Sequence, residues 1–259
     1  MMSFRNTFIL LVSLLFLNTN CTPKKGKKDF KTTDKTYSLV KKKYDDFCLS
    51  IDSRKDLIEV SSLCYSDSKG NIVQVKGLVD ENFSIVKLTQ EESFVNGKLI
   101  EMTYYFSGSE KIYSSRKLSI FKKENCYFHE EASCYSDNKK IIYSGKRFSF
   151  DEYKLAKKKF HKIEPVSHND FKAKQIINQK ENFQTNFQGF MEMQGRNYLI
   201  VGTEKFSSSI AFQEYKGNLK LLKSNEKSFE GKLLKVEFEI ITEPNGFTFQ
   251  ALRSVSFVN

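Results

Sequence analysis

The sequence predicts a mainly β protein of antiparallel sheet, as a curved sheet or partial barrel, carrying two short helices. Three observations lead there. Leu234, Val236, Phe238 and Ile240 alternate with Lys235, Glu237 and Glu239, the period-2 pattern of a strand with one buried and one wet face. Short runs rich in β-branched and aromatic residues recur at 72–75, 83–86 and 100–106. Turn-forming residues separate them: Ser66 to Gly70, Asn96-Gly97, Gly108 and Asp137-Asn138.

The chain begins with one positive charge, Arg5, and then an uncharged run, Thr7 to Leu17. Those are the n-region and h-region of a secretory signal. The run of 11 residues falls short of the roughly 20 that a helix needs to cross a membrane. An ordinary cleavage site wants small residues in an A-x-A pattern, yet no alanine precedes Ala132. Leu17-Asn18-Thr19-Asn20-Cys21 follows instead. This stretch resembles the relaxed lipobox of spirochaete-type bacterial lipoproteins. Leu17 stands four residues before the cysteine and Asn20 beside it, where the stricter pattern has Leu three before and Gly, Ala or Ser adjacent. The resemblance covers residues 1–21. It implies a signal peptide over 1–20, a fatty acyl group such as palmitate on Cys21, export, and a lipid anchor in the cell envelope, the outer membrane being favoured.

The net charge of +11 is unevenly spread. Residues 22–43 hold nine lysines against Asp29 and Asp34, or +7. Lys24, Lys25, Lys27, Lys28 and Lys31 lie in a lipidated basic tether, 21–34, next to the membrane. Each lysine near an anionic surface contributes about 1 kcal/mol of attraction; a solvated tether of the same composition is compatible with that role. Without residues 1–20 the charge is +10, so residues 44–259 carry only +3. No nucleic-acid partner is expected, because the basic excess is not on the body.

Once Cys21 is assigned to lipid, Cys48, Cys64, Cys126 and Cys134 form an even set, and an exported protein sits where disulfides persist. Cys64-Tyr65-Ser66-Asp67 and Cys134-Tyr135-Ser136-Asp137 are the same tetrapeptide, each with an earlier cysteine. Local bridges, Cys48–Cys64 and Cys126–Cys134, treat both copies alike; cross-pairing of the copies is the other option. For the second bridge, residues 126–134 read as a tight hairpin with a loop at His129 to Glu131. A disulfide needs the two Cα atoms within about 7 Å. The spacing of Cys126, His129 and Cys134 matches no common zinc pattern, and no metal or cofactor is expected.

Tyr37, Val40, Tyr44 and Phe47 share a helical face, so 35–48 is the first helix. It opens a disulfide-containing β lobe, 35–150. Acidic Asp151 and Glu152, a face of Tyr153, Ala156, Phe160 and Ile163, and closing lysines predict the second helix, 151–163, ended by Pro165. It belongs to a helical, polar connector, 151–182. A C-terminal β lobe, 183–259, follows, in which Glu243-Pro244-Asn245-Gly246 is a turn. The two lobes and connector are alternatively one continuous domain, 35–259. Segments 88–106 and 222–240 align without gaps through a shared Gly-Lys-Leu. That records either a duplicated β-domain or the common appearance of a glycine turn feeding an amphipathic strand.

No H-E-x-x-H, G-x-S-x-G, P-loop or Rossmann glycine pattern occurs among the residues, so no enzyme is expected. The expectation is a membrane-anchored, non-enzymatic binding or structural lipoprotein, with an unknown protein or an apolar ligand as its further partner. The alternative is a carrier of apolar or lipid cargo in a half-open β-barrel, resting on fold analogy alone.

Overall fold

The computed structural model describes residues 34–122 and 126–258. Cys21 and the lysines 24, 25, 27, 28 and 31 lie outside them. The described chain is mainly β and mostly antiparallel, and its sheet does not close.

Helix α1 spans Asp34–Asp52. A meander follows: β1 (Ile58–Ser61), β2 (Tyr65–Ser66), β3 (Ile72–Val79), β4 (Ile85–Ser93), β5 (Lys98–Ser107), β6 (Glu110–Phe121), β7 (Cys126–Tyr135) and β8 (Ile141–Ser149). β1 and β2 pair in succession with the two halves of β3, and β3 through β8 pair each with the next. Glycine turns set the registers. Gly97 takes φ +79° and donates its N–H to the Phe94 carbonyl at 3.0 Å, a conformation that costs glycine little.

Next come α2 (Glu152–Lys157), the short β9 (His161–Lys162) on β8, and α3 (Phe171–Ile177). A second meander holds β10 (Phe187–Met193), β11 (Arg196–Gly202) and β12 (Ser207–Phe212). Helices α4 (Asn218–Ser224) and α5 (Glu226–Phe229) precede the hairpin of β13 (Leu234–Thr242) and β14 (Thr248–Phe257). β12 is the junction: Ser207 pairs with Ser66 of β2, and Ala211 pairs in parallel with Ala251 of β14.

Apolar alternation explains the packing. Val73, Val75, Leu88, Tyr104 and Phe106 from the first meander meet Phe187, Leu199, Val201 and Ile210 from the second. Phe183, α3 (Ala173, Ile176), α4 (Leu219, Leu222) and β13 (Leu234, Val236) complete that cluster. A smaller cluster lies under α1, where Ile51, Val40, Tyr44, Phe47 and Cys48 cover Val86, Tyr105, Tyr113, Ala132, Cys134 and Tyr143.

Several expectations change. The first helix is longer, Asp34–Asp52, because its apolar face continues to Ile51 against the sheet. The second is shorter: Asp151 caps it through the Lys154 N–H, but it stops at Lys157, and His161–Lys162 pairs with β8 instead. Backbone pairing along β8 overrides the helical charge order. Three more α-helices occur among the described residues. Residues 126–134 are not a hairpin; they run along a single strand, β7, paired throughout with β6. Segments 88–106 and 222–240 fold differently in their first halves, strand β4 against helices α4 and α5; the shared Gly-Lys-Leu marks a turn into a strand and no more.

Candidate functional site

A crevice of about 890 Å³ opens where the second meander meets the β13–β14 hairpin. Glu239, from the wet face anticipated on β13, and Glu243, from the turn after it, line one wall. Ile241 lines the crevice on the same odd-numbered side as Glu239, while Ile240, expected on the buried side, is exposed. Arg196 of β11 pairs with Glu243, its guanidinium 4.6 Å from the centre of the Phe249 ring. Arg253 pairs with Glu239 at 2.6 Å. Both cations are thus already matched by carboxylates of the same hairpin. The crevice presents mixed charge and an aromatic floor, and it is open to solvent.

A second groove, about 550 Å³, runs beside α1 over β4 to β8. Glu130 is buried, and two nitrogens of Arg147, Nε at 2.7 Å and Nη2 at 2.6 Å, close on its Oε2. Tyr105 donates its hydroxyl to Asp52 at 2.8 Å. Cys48 lines the same groove. Burial, with Asp45 and Asp52 nearby, pushes its thiol up to about 12. A thiol held protonated is a poor nucleophile, so the groove contains no activated cysteine.

A serine, a histidine and a carboxylate do converge on the opposite sheet face. The Ser114 hydroxyl lies 2.9 Å from Nδ1 of His168, and Nε2 of His168 lies 3.8 Å from Glu131. Ser114 and His168 are buried, and neither lines either of the two crevices. A catalytic nucleophile needs space for its substrate, and this buried cluster opens into neither crevice. His129, expected at a loop tip, sits mid-strand with its Nε2 3.9 Å from Glu131. Among the described residues no group of three or more His, Cys, Asp or Glu is disposed to hold a metal ion.

The described cysteines are free thiols: Cys48, Cys64 and Cys126 half-buried, Cys134 buried. The Cys126–Cys134 bridge is overturned by β7. Eight residues of strand at about 3.3 Å each put the two at opposite ends. Cys48–Cys64 is not formed either: Cys48 belongs to the cluster under α1, whereas the Cys64 N–H is held by the Gln250 side chain at 2.7 Å. The repeated tetrapeptide has a local meaning. In both copies the tyrosine, Tyr65 or Tyr135, is a buried strand end, and a turn follows, closed by Gly70 N–H to Asp67 O or Lys139 N–H to Ser136 O. His168 carries no motif; its partner lies 54 residues away, and no local signal could have flagged it.

No helix among the described residues is long and apolar enough to cross a membrane. No family model, no curated protein and no solved structure matches the chain.

Proposed function

We propose that the chain is a membrane-anchored envelope lipoprotein acting as a non-enzymatic binding or structural module. The anchor rests on the uncharged run Thr7 to Leu17 ahead of Cys21, with the basic tether after it. The binding reading is carried by one observation: the buried face of the sheet is packed with aromatic and aliphatic side chains, while the crevice at the β13–β14 hairpin is open and charged. Tyr65, Tyr104, Phe183 and Phe187 are at most 2% exposed and occupy the space that an apolar cargo would need. Arg196, Arg253, Glu239 and Glu243 at the crevice suit a partner bearing both charges, such as a folded protein surface.

The test is solvent extraction of the purified, unlipidated chain, followed by mass spectrometry. The binding module predicts no stoichiometric lipid. Recovery of about one lipid per chain establishes the carrier instead.

A further inference from the structure

The segment 163–170 crosses the sheet face opposite α1, and polar groups hold it there. The Ser133 hydroxyl donates to the Val166 carbonyl at 2.6 Å, and the Val166 N–H donates to the Ser144 hydroxyl at 3.0 Å. Tyr104 donates to the Asn169 carbonyl at 2.7 Å, and Lys111 donates to the His168 carbonyl. Between 161 and 170 only His168 is buried. Its side chain is 3% exposed. The segment therefore hangs on a histidine where a leucine would be the ordinary anchor.

Every ionisable group around that ring can be named. β6 supplies Arg116 and Lys111; β7 supplies His129, Glu131 and Tyr135; β5 supplies Tyr104; the segment itself supplies Asp170, which Lys174 of α3 also pairs. Glu92 of β4 is taken by Lys172. The Tyr135 hydroxyl accepts the His168 N–H at 3.3 Å and shares the Ser114 hydroxyl at 3.0 Å. Nε2 of His168 is buried with no hydrogen-bond partner. Glu131 is the one carboxylate facing it, at 3.8 Å, and Arg116 and His129 compete for that carboxylate at 3.6 and 3.9 Å.

We propose that segment 163–170 is a proton-operated strap: adding a proton to His168 releases it from the sheet and uncovers the row Ser114, Ser133 and Ser144. A cationic ring would sit in a buried site beside Arg116 and Lys111, facing only Glu131, a carboxylate that Arg116 and His129 already share. Released, the same ring is solvated. Burial, reinforced by Arg116 and Lys111 against the pull of Glu131, holds the His168 ring below the usual imidazole range. The sign follows: the released state binds the extra proton, so attachment is strongest at high pH and weakens as pH falls through about 6.5. The device is independent of what the chain binds.

The test is amide hydrogen exchange on the whole chain from pH 7.5 to 5.0, corrected for intrinsic rates. Protection at 166–169 should fall about tenfold per pH unit below about 6.5, down to the ring's own titration point. Amides of β3 to β5 should keep theirs. His168→Gln should abolish the pH dependence, and His129→Gln should leave it. Flat protection in the wild type, an unchanged slope in His168→Gln, or a slope lost in His129→Gln overturns the proposal. If His168→Gln fails to fold, ring titration by NMR in the wild type decides: a His168 value below 6.5 supports the strap, and one at or above 6.5 overturns it.

Discussion

Arg147 and Glu130 face each other directly across the β7–β8 pairing, and two nitrogens of the arginine converge on Oε2 of the carboxylate. Glu130 is 5% exposed, while Arg147 also donates to the carbonyls of Ala156 and Lys158 and covers the Phe160 ring. One side chain thus ties α2 and the chain after it to the sheet.

Removing one partner of a buried pair strands the other charge. Arg147→Met should therefore destabilise by about 3–5 kcal/mol, whereas Glu130→Leu with Arg147→Met should recover most of that. Urea unfolding of the four species measures it. Equal losses in the single and double variants would show that the pair is not effectively buried.

Phe183 joins the two meanders through the core. Its ring packs edge-on to Tyr65 at 5.3 Å and against Phe206 at 4.6 Å, and its carbonyl accepts the Tyr65 hydroxyl at 2.7 Å. Phe183→Ala should cost about 3–5 kcal/mol by cavity formation. A single cooperative transition with a lowered midpoint is expected by circular dichroism. A loss under 1 kcal/mol would mean that the core is not filled at this point.

The strand pattern was legible where burial is one-sided. Lys235, Glu237 and Glu239 against Leu234 and Val236 announced β13, and Pro244 with Gly246 announced its turn, closed by Gly246 N–H to Glu243 O at 2.8 Å. The error at Cys126 to Cys134 has a physical origin. His129, Glu130 and Glu131 look like a solvated tip, but both carboxylates are met by residues distant in the chain: Glu130 by Arg147, and Glu131 by Arg116 and beside His168. Such pairings join residues 15 to 37 positions apart and leave no local trace. For the same reason neither the crevice nor the strap could be read from the chain.

Cys48 and Cys134 should both react slowly with a thiol reagent in the native protein. Burial pushes the Cys134 thiol up to about 12, as it does Cys48. Reactivity follows the thiolate fraction, so the native rate should rise about tenfold per pH unit between 7 and 10 and jump on denaturation. Equal native and denatured rates would contradict this. A cross-linked Cys126–Cys134 peptide would contradict the continuity of β7.

The tether should account for binding to anionic surfaces. Lys41 is not part of it: that side chain pairs with Asp45 and lies over the rings of Phe160 and Tyr113. Changing Lys24, Lys25, Lys27, Lys28 and Lys31 to Gln in the unlipidated chain should remove most retention on anionic vesicles. In the parent, retention should weaken with salt as the Debye length shrinks toward 8 Å. Undiminished retention of the substituted chain would place the binding surface on the body.

Lipid on Cys21 is read out by metabolic labelling with a radioactive fatty acid in a bacterial host. The wild-type chain should take up label and partition into detergent, and Cys21→Ala should do neither. Equal labelling of the two would contradict the account.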